Sequence, residues 1–437
     1  MQSYVHLRKR ILGGSVLAYI FLTHNIEQLD KPMVHKIFEK LMFSIEPLYE
    51  KVSLGKYVGF RRIFSNHVIA YDSGGFAFLL GKIKQPPDPG KTVRIYKSLG
   101  FNRKDFLIQL DLPPQYFMCK EERIALIVKS AQYYHYMRSK LNGNVVGVVH
   151  GWDLEELKLS LELLLDPDKI ALGTYIPVTK PYAMKTIGLG SYAARAVLPE
   201  KTVATPSCLA ESKTFFKTLG NKLIGLGSYA NTKNSIAWSR KTIATPSGNA
   251  EKVLQRVPKK VVYERLTLAF NLLRDYEVFC LGGSGPNTAH LIFYLGAKYI
   301  DGSSWRLAAL LWRIYVPELG EFSVGKKKIA KRLNDRAIAK IREYYYESPL
   351  RDISFNHFIA KIKQNGTEAF VLRALWNAYV MKVEEEIANN FACDPDRYYK
   401  YLSKRWSNSP WRRVLDFVTR RLKQHYVQYR LTLFLKN

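Results

Sequence analysis

The sequence predicts an α/β protein built on a (β/α)8 TIM-type barrel, and three observations carry this prediction. Apolar runs of strand length alternate with segments whose apolar residues recur at helical spacing, as in parallel α/β architecture. Each run ends in a polar or glycine-rich turn, and in a barrel these turns share the face where active sites are built. The units are evenly spaced, and little in the chain resembles a dinucleotide-binding loop, so a doubly wound sheet is disfavoured.

Length and charge indicate the class of partner. The 437 residues suffice for one barrel-sized domain with an extension. Lys+Arg 67 against Asp+Glu 37 give a formal net charge of +30 and a pI near 9.8, which predicts a polyanion as partner. The longest apolar runs, at 11–22 and 307–311, are too short to span a bilayer, so no membrane partner is expected.

Cysteine usage indicates the compartment. The four cysteines lie at positions 119, 208, 280 and 393 and form no CxxC pair. No small-residue cleavage site follows the early apolar run within the window expected for a secretory signal. These features predict a cytoplasmic protein without a cysteine-built metal site.

The elements follow in chain order. Residues 1–60 contain an apolar strand-like run and a helix-like stretch at 31–42. Strands are predicted at 67–71, 106–110, 144–149, 169–172, 278–281 and 298–300, and helices at 120–140, 153–165 and 257–274. The last two strands, with the turn and helix between them, form one βαβ unit whose second strand ends at Asp301.

A repeat interrupts this alternation. The sequence IGLGSYA occurs at 187–193 and again at 224–230, and KTVATPS at 201–207 returns as KTIATPS at 241–247. We interpret this as a tandem duplication within an insertion, 176–255, after the fourth strand. Two copies are too few for a solenoid. An inert expansion and a substrate-contacting role are about equally compatible with it.

Two regions are therefore expected: a catalytic barrel over 1–325 and a helical, basic C-terminal region over 326–437. In its final helix the apolar residues share one stripe, formed by Trp411, Leu415, Val418 and Leu422. Basic residues can face elsewhere. One interpretation is a basic face that is only solvated. The favoured interpretation is contact with phosphates by Arg412, Arg413, Arg420 and Arg421.

Three carboxylates stand at predicted strand ends: Asp72, Asp111 and Asp301. A single aspartate in such a place is commonly a turn residue or helix cap. A barrel brings all three to one mouth, where carboxylates suit glycosidic chemistry, one displacing the leaving group and another moving protons.

At these residues a family resemblance becomes specific. The stretch 72–76, DSGGF, resembles the DSGG-aromatic motif of the tRNA-guanine transglycosylases, (β/α)8 enzymes that exchange guanine for a 7-deazaguanine base. The segment 282–301 resembles the one leading to their nucleophilic aspartate. The strand end at 148–151 resembles their VQG, and 172–175 their glycine pair before a base-binding loop. The similarity covers about 60–175 and 255–385.

This resemblance implies roles for individual residues. Asp301 attacks C1′ of the nucleoside and expels guanine, and Asp72 is the general acid/base. Asp111 accepts the N1 and N2 hydrogens of guanine, and Phe76 stacks on the purine. Further contacts to the base are implied for Ser73, His150, Gly151, Gly173, Thr174, Leu281 and Gly282. No metal or cofactor is implied.

The sequence departs from the family in several places. His150 and Ala77 stand where the family has glutamines, and the closely spaced zinc-binding cysteines are absent. The tRNA-reading loop after the nucleophile is replaced by 302–306, in which Arg306 is a candidate nucleic-acid contact. This pattern is most similar to the DpdA-type DNA-guanine transglycosylases of phages and bacterial islands.

The expected reaction is thus exchange of guanine in DNA for a base such as 7-cyano-7-deazaguanine, in the cytoplasm of a bacterial or phage-infected cell. Partner proteins are compatible with it. One alternative is a tRNA-guanine transglycosylase without zinc. Another is a non-catalytic nucleic-acid-binding paralogue, against which the three retained aspartates argue.

Overall fold

The computed structural model describes the chain in twelve stretches. They are residues 18–25, 38–51, 53–79, 82–116, 118–165, 186–189, 197–199, 254–256, 259–274, 276–282, 285–325 and 331–434.

The fold is α/β, with a curled, all-parallel main sheet. Its strands are β1 (Tyr19–Asn25), β2 (Lys40–Ser44), β3 (Val68–Asp72), β4 (Phe106–Ile108), β5 (Asn144–Val149), β6 (Thr186–Leu189), β9 (Glu277–Cys280) and β10 (Tyr299–Gly302). The order of hydrogen-bonded neighbours is β1-β10-β9-β6-β5-β4-β3-β2, and β2 pairs in turn with β1. Because all pairs are parallel, the carboxyl ends of the strands lie along one rim.

Two smaller sheets accompany it. One is a ribbon of β7 (Val197–Pro199) and β8 (Leu254–Arg256), which pair antiparallel. The other contains β11 (Arg313–Val316), β12 (Gly320–Ser323) and β13 (Lys331–Arg332). The β7–β8 pairing brings Pro199 and Leu254 side by side.

Helices connect and cover the strands. They are α1 (Gly75–Leu79), α2 (Pro89–Leu99), α3 (Lys120–Lys140), α4 (Leu154–Leu165), α5 (Lys259–Leu272), α6 (Pro286–Leu295), α7 (Ser304–Leu310), α8 (Asp335–Tyr345), α9 (Phe355–Lys361), α10 (Thr367–Asn389), α11 (Pro395–Arg405) and α12 (Pro410–Phe434). Short 3₁₀ helices at Glu46–Leu48, Gly55–Tyr57 and Phe60–Phe64 lie between β2 and β3.

Alternation along the strands separates two apolar clusters. A small cluster fills the inside of the curl and comprises Phe21, Met42, Ala70, Phe106, Ile108, Val146, Val148 and Phe279. The larger cluster lies between the sheet and the helices. Since successive strand residues point to opposite sides, the residues two positions beyond the inner cluster point inward at the carboxyl-end rim. These residues are Thr23, Ser44, Asp72, His150 and Leu281, together with Asp301, which stands two positions beyond Tyr299, a residue packed against the same cluster. Leu110, two positions beyond Ile108, instead belongs to the larger cluster.

Several predicted elements agree closely with the structure. The helix 120–140 and the strand 144–149 have the predicted bounds, and α4, α5, β3, β9 and β10 differ from prediction by one or two residues at their ends. The predicted apolar stripe of α12 is confirmed, since Leu415 and Val418 are 0% exposed and Leu422 is buried.

Two assignments differ. Residues 40–42 were expected in a helix-like stretch but belong to β2. The strand that pairs with β5 on the side away from β4 is β6, which lies inside the expected insertion, 176–255. The strand expected at 169–172 lies outside the described residues. The sequence of β6, TIGL, contains a glycine and by itself indicates a strand only weakly. Its place in the sheet is fixed by pairing with β5 and β9.

The C-terminal helices pack directly against the sheet. On α10, the Asn389 side chain accepts from the amide of Ala18 and donates to its carbonyl. Glu385 pairs with Lys40 at 3.0 Å. Farther along the same helix, Asn377 Oδ1 accepts from the amide of Tyr315 at 2.7 Å, which joins α10 to the β11–β12 hairpin.

Candidate active site

Asp301 ends the inward-facing run of β10 and is held through both carboxylate oxygens. The amide of Gly282 donates to Oδ1 at 2.6 Å, and the Thr23 hydroxyl donates to Oδ2 at 2.8 Å. The residue is 7% exposed. Burial raises the pKa of Asp301 from 3.8 to about 6, although the two hydrogen bonds act in the opposite direction. At neutral pH the carboxylate is mostly ionised and fixed in orientation.

Asp72 ends β3, and two strands, β2 and β1, separate it from β10 and Asp301 along the rim. The Gly74 amide donates to its Oδ1 at 3.2 Å, and Ser44 also hydrogen-bonds its side chain. Burial is the main reason that the pKa of Asp72 rises from 3.8 to about 7, and the charges of Asp301 and Asp111 add to it. Near neutral pH this group exists in both protonation states, as a proton-transferring residue requires.

Asp111 follows β4 and is packed against the turn after β3. It is 6% exposed. A Cβ placed on Gly75 would lie 2.1 Å from Asp111 Oδ1 and 2.5 Å from its carbonyl oxygen. Only glycine therefore lets the DSGG turn approach this carboxylate.

His150 and Ser73 are buried polar groups that point to a ligand. His150 Nε2 lies 3.0 Å from Asp111 Oδ2, but among the described residues neither ring nitrogen has an aligned hydrogen bond. The Ser73 hydroxyl also has no hydrogen-bond partner among the described residues. His150 is 1% exposed and Ser73 is 0% exposed. Unsatisfied buried polar atoms are costly, so this corner is suited to a ligand that supplies partners.

Glycines shape the turns at the rim. Gly74, Gly151 and Gly282 have φ values of 78°, 149° and 87°, which side-chain-bearing residues rarely adopt. At Gly151 an added Cβ would also lie 2.6 Å from the amide nitrogen of Leu157. The rim backbone thus depends on glycine at three of the turns that carry site residues.

The other expected base contacts are located unevenly. Leu281 packs against the inner apolar cluster, and Gly282 contacts Asp301 as above. Phe76 lies in α1, but its side chain is outside the described part of the chain. Gly173 and Thr174 also lie outside the described residues.

The expected phosphate contacts fall into different environments. Arg306, on α7, is partly buried, and this burial lowers its pKa. On α12, Arg412 pairs with Asp416 at 3.0 Å and Arg421 with Glu264 at 2.9 Å. Two further arginines of that helix, Arg413 and Arg420, are exposed.

Two site residues were missed by sequence reasoning: Thr23 and Ser44. Thr23 lies two residues before the end of β1 and Ser44 ends β2, both in the N-terminal region, in which we found no motif. The available signal was the position of a hydroxyl residue after an apolar run, which is too common to single out either one. Their proximity to the carboxylates arises from strand register, with Ser44 directly beside Asp72.

Within the described stretches, no group of three or more His, Cys, Asp or Glu side chains is arranged to hold a metal ion. None of the described helices is long and apolar enough to cross a membrane. No protein-family model matches this chain, and no curated protein matches it.

The arrangement offers a defined chemistry. The Asp301 carboxylate is fixed in orientation and mostly ionised, and Asp72 exists in both protonation states near neutral pH. Asp111 lies beside the His150 imidazole, whose ring nitrogens have no aligned hydrogen bond among the described residues. Carboxylates whose environments separate their pKa values are suited to divided nucleophile and acid/base roles.

Proposed function

We propose that this chain is a guanine transglycosylase that exchanges guanine in DNA for a 7-deazaguanine base, through a covalent aspartyl-glycosyl intermediate, on a (β/α)8 barrel. The observation that carries the proposal is the pairing of Asp301, fixed by Gly282 and Thr23, with Asp72, whose pKa is about 7. The DSGGF resemblance and the net charge of +30 support it.

In the first half-reaction, a carboxylate oxygen of Asp301 bonds to C1′ of the target deoxynucleotide. The bond from C1′ to N9 of guanine breaks, and the bonding electron pair leaves with guanine. Protonated Asp72 donates its proton to the departing base. Burial around Asp301 strengthens its attraction to the cationic character that develops at the sugar.

The second half-reaction reverses these steps with the incoming base. Asp72, now ionised, removes the N9 proton of the 7-deazaguanine. That nitrogen bonds to C1′, and the ester bond to Asp301 breaks and returns the carboxylate. No net proton or electron is consumed, which matches a site with one shared proton.

Base recognition is assigned to the corner between β3, β4 and β5. Asp111 accepts two parallel N–H bonds from the N1 and N2 edge of guanine. His150 and Ser73 supply polar atoms without internal partners to the rest of the base. The contacts of Phe76, Gly173 and Thr174 remain those implied by the resemblance.

The experiment uses labelled guanine with duplex DNA, single-stranded DNA or tRNA. We expect label in DNA and a covalent protein–DNA adduct after denaturation. Asp301→Asn should abolish both, while Asp352→Asn, an exposed aspartate, should change neither. Label in tRNA alone would establish the tRNA enzyme instead. Absence of exchange with all three nucleic acids, or normal exchange by Asp301→Asn, would refute the assignment.

A further inference from the structure

The segment between β2 and β3 exposes apolar side chains. Val58 is 67% exposed and Ile63 is 72% exposed, and they are two of only four large hydrophobic residues that are exposed among the described residues. Their neighbours Tyr57, Phe60 and Phe64 are buried at 3–5% exposure and anchor the segment. A well-anchored segment that holds two aliphatic side chains in water requires an explanation that scattered surface residues do not.

Exposed cationic residues lie in the same segment and in the loop that contacts it. Lys56 and Arg62 are exposed in the same segment, and Arg103 and Lys104 are exposed in the loop before β4. The two segments are in contact, because Arg61 Nε lies 2.6 Å from Asp105 Oδ2. None of the four cations has an ion-pair partner among the described residues. We call Lys56, Val58, Arg62, Ile63, Arg103 and Lys104 the amino-end surface.

A buried ion pair fixes this surface at the rim opposite the candidate active site. Arg61 Nε lies 2.6 Å from Asp105 Oδ2, and its Nη2 donates to the carbonyl of His67, the residue before β3. Asp105 Oδ1 accepts from the Ile69 amide. Asp72 ends that same strand, roughly 13 Å away at about 3.3 Å per residue. A partner bound here leaves the active-site rim open.

We propose that the amino-end surface is a docking site for a partner protein that presents an acidic, apolar segment. Complementary charge steers such a segment to the four cations, and burial of Val58 and Ile63 supplies affinity that charge alone lacks. A nucleic-acid backbone would use the cations but leave both aliphatic side chains in water. A second copy of this chain would bring like charges together across a two-fold axis. Glu39, an exposed carboxylate at this rim, does not balance the four cations.

The test uses three fluorescent probes of equal negative charge: a Glu/Leu peptide, polyglutamate and a single-stranded oligodeoxynucleotide. We expect the Glu/Leu peptide to bind at least about tenfold more tightly than polyglutamate, as burial of two aliphatic side chains requires. It should slow hydrogen exchange at 55–66 and 100–104. Val58→Ser with Ile63→Ser should remove the preference, and Arg62→Gln with Lys104→Gln should weaken both peptides.

The controls are Leu154→Ser with Tyr346→Ser, which remove the other two exposed hydrophobic residues and should leave the preference intact. Equal binding of the two peptides, or no effect of the serine pair at Val58 and Ile63, would overturn the proposal. Protection of the same segments by the oligonucleotide, insensitive to that serine pair, would make this a nucleic-acid surface. Dimerisation lost in that variant would make a second copy the occupant. Either result replaces the proposed partner, and base exchange should be unchanged throughout.

Discussion

At the scale of single residues, two aspartates on one rim are made chemically different by their surroundings. Asp301 has a donor on each oxygen, and its pKa rises only to about 6. Asp72 also carries repulsion from Asp301 and Asp111, and its pKa reaches about 7. The direction of this difference agrees with the proposed displacing role of Asp301 and the proposed proton-transferring role of Asp72.

Asp72→Asn is expected to change stability in a pH-dependent way. The folded-state pKa of Asp72 lies above the ordinary value of 3.8. Its contribution to the free energy of unfolding is therefore fully present below about pH 4 and is lost as the pH rises through about 7. The asparagine variant has no charge to bury and escapes that loss. Its melting temperature relative to wild type should therefore rise between about pH 5 and pH 8. Asp352→Asn should show no such trend, and a constant difference for Asp72→Asn would contradict the assignment.

Thr23→Val is expected to impair Asp301, the proposed nucleophile, while preserving the shape of the side chain at position 23. Loss of the 2.8 Å hydrogen bond removes an interaction that lowers the pKa of Asp301. The acidic limb of the pH–rate profile should shift to higher pH, and kcat should fall about 10- to 100-fold, the cost of one unsatisfied buried acceptor. Guanine affinity should be unaffected.

Thr23→Ser is the matched control because it keeps the hydroxyl. It should retain the wild-type profile and most of the rate. Equal losses in the serine and valine variants would indicate that Thr23 acts by packing.

At the scale of elements, α12 divides its arginines into two kinds. The apolar stripe packs inward, and Arg412 and Arg421 are engaged by Asp416 and Glu264. Arg413 and Arg420 are exposed, and no described residue pairs with either. Sequence alone grouped all four as phosphate contacts, but the ion pairs with Asp416 and with Glu264 on α5 distinguish them.

Arg413→Gln with Arg420→Gln is expected to weaken DNA binding about uniformly across sequences. The slope of log affinity against log salt should decrease by roughly 1.8, the value for two phosphate contacts. Arg412→Gln with Arg421→Gln should change this slope less and lower the melting temperature more. The reverse ranking, measured by binding titrations at several salt concentrations, would place the phosphate contacts elsewhere.

At the scale of the whole molecule, a buried ionic network joins the C-terminal helices to the helix after β9. Arg405 of α11 makes two hydrogen bonds to Glu384 of α10, at 2.7 and 2.8 Å. His290 of α6 lies 2.8 Å from the same carboxylate. Burial opposes ionisation of Glu384, but Arg405 and His290 outweigh it and lower its pKa to about 2.

Arg405→Met is expected to destabilise the fold by about 3–5 kcal/mol, because it leaves a buried carboxylate without its partner. Arg351→Met, at an exposed position, should cost far less. The stability that the ionised Glu384 carboxylate contributes is fully present above its ordinary pKa of 4.5 and is lost as the pH falls toward 2. Urea unfolding at neutral and acidic pH measures both effects. Equal stability of the two variants at neutral pH would show that the network contributes little.

Local patterns predicted much of the fold. The helix 120–140 and the strand 144–149 were predicted with their observed bounds, since the preference of a segment for helix or strand is largely a property of neighbouring residues. Asp72 and Asp301 were placed at strand ends for the same reason. In contrast, β2 and β6 are short strands whose positions depend on the strands with which they pair. The spacing of their apolar residues did not identify them.

By itself, the sequence determined the α/β alternation, the basic character of the chain and the carboxylates that follow its strands. These follow from composition and from periods of two and 3.6 residues, which need no knowledge of distant contacts. Only the tertiary structure decided that Thr23 and Ser44 hold those carboxylates, that Gly75 must lie against Asp111, and that Arg421 pairs with Glu264. Such contacts join residues up to 278 positions apart, and strand register and helix packing select them from many equivalent side chains.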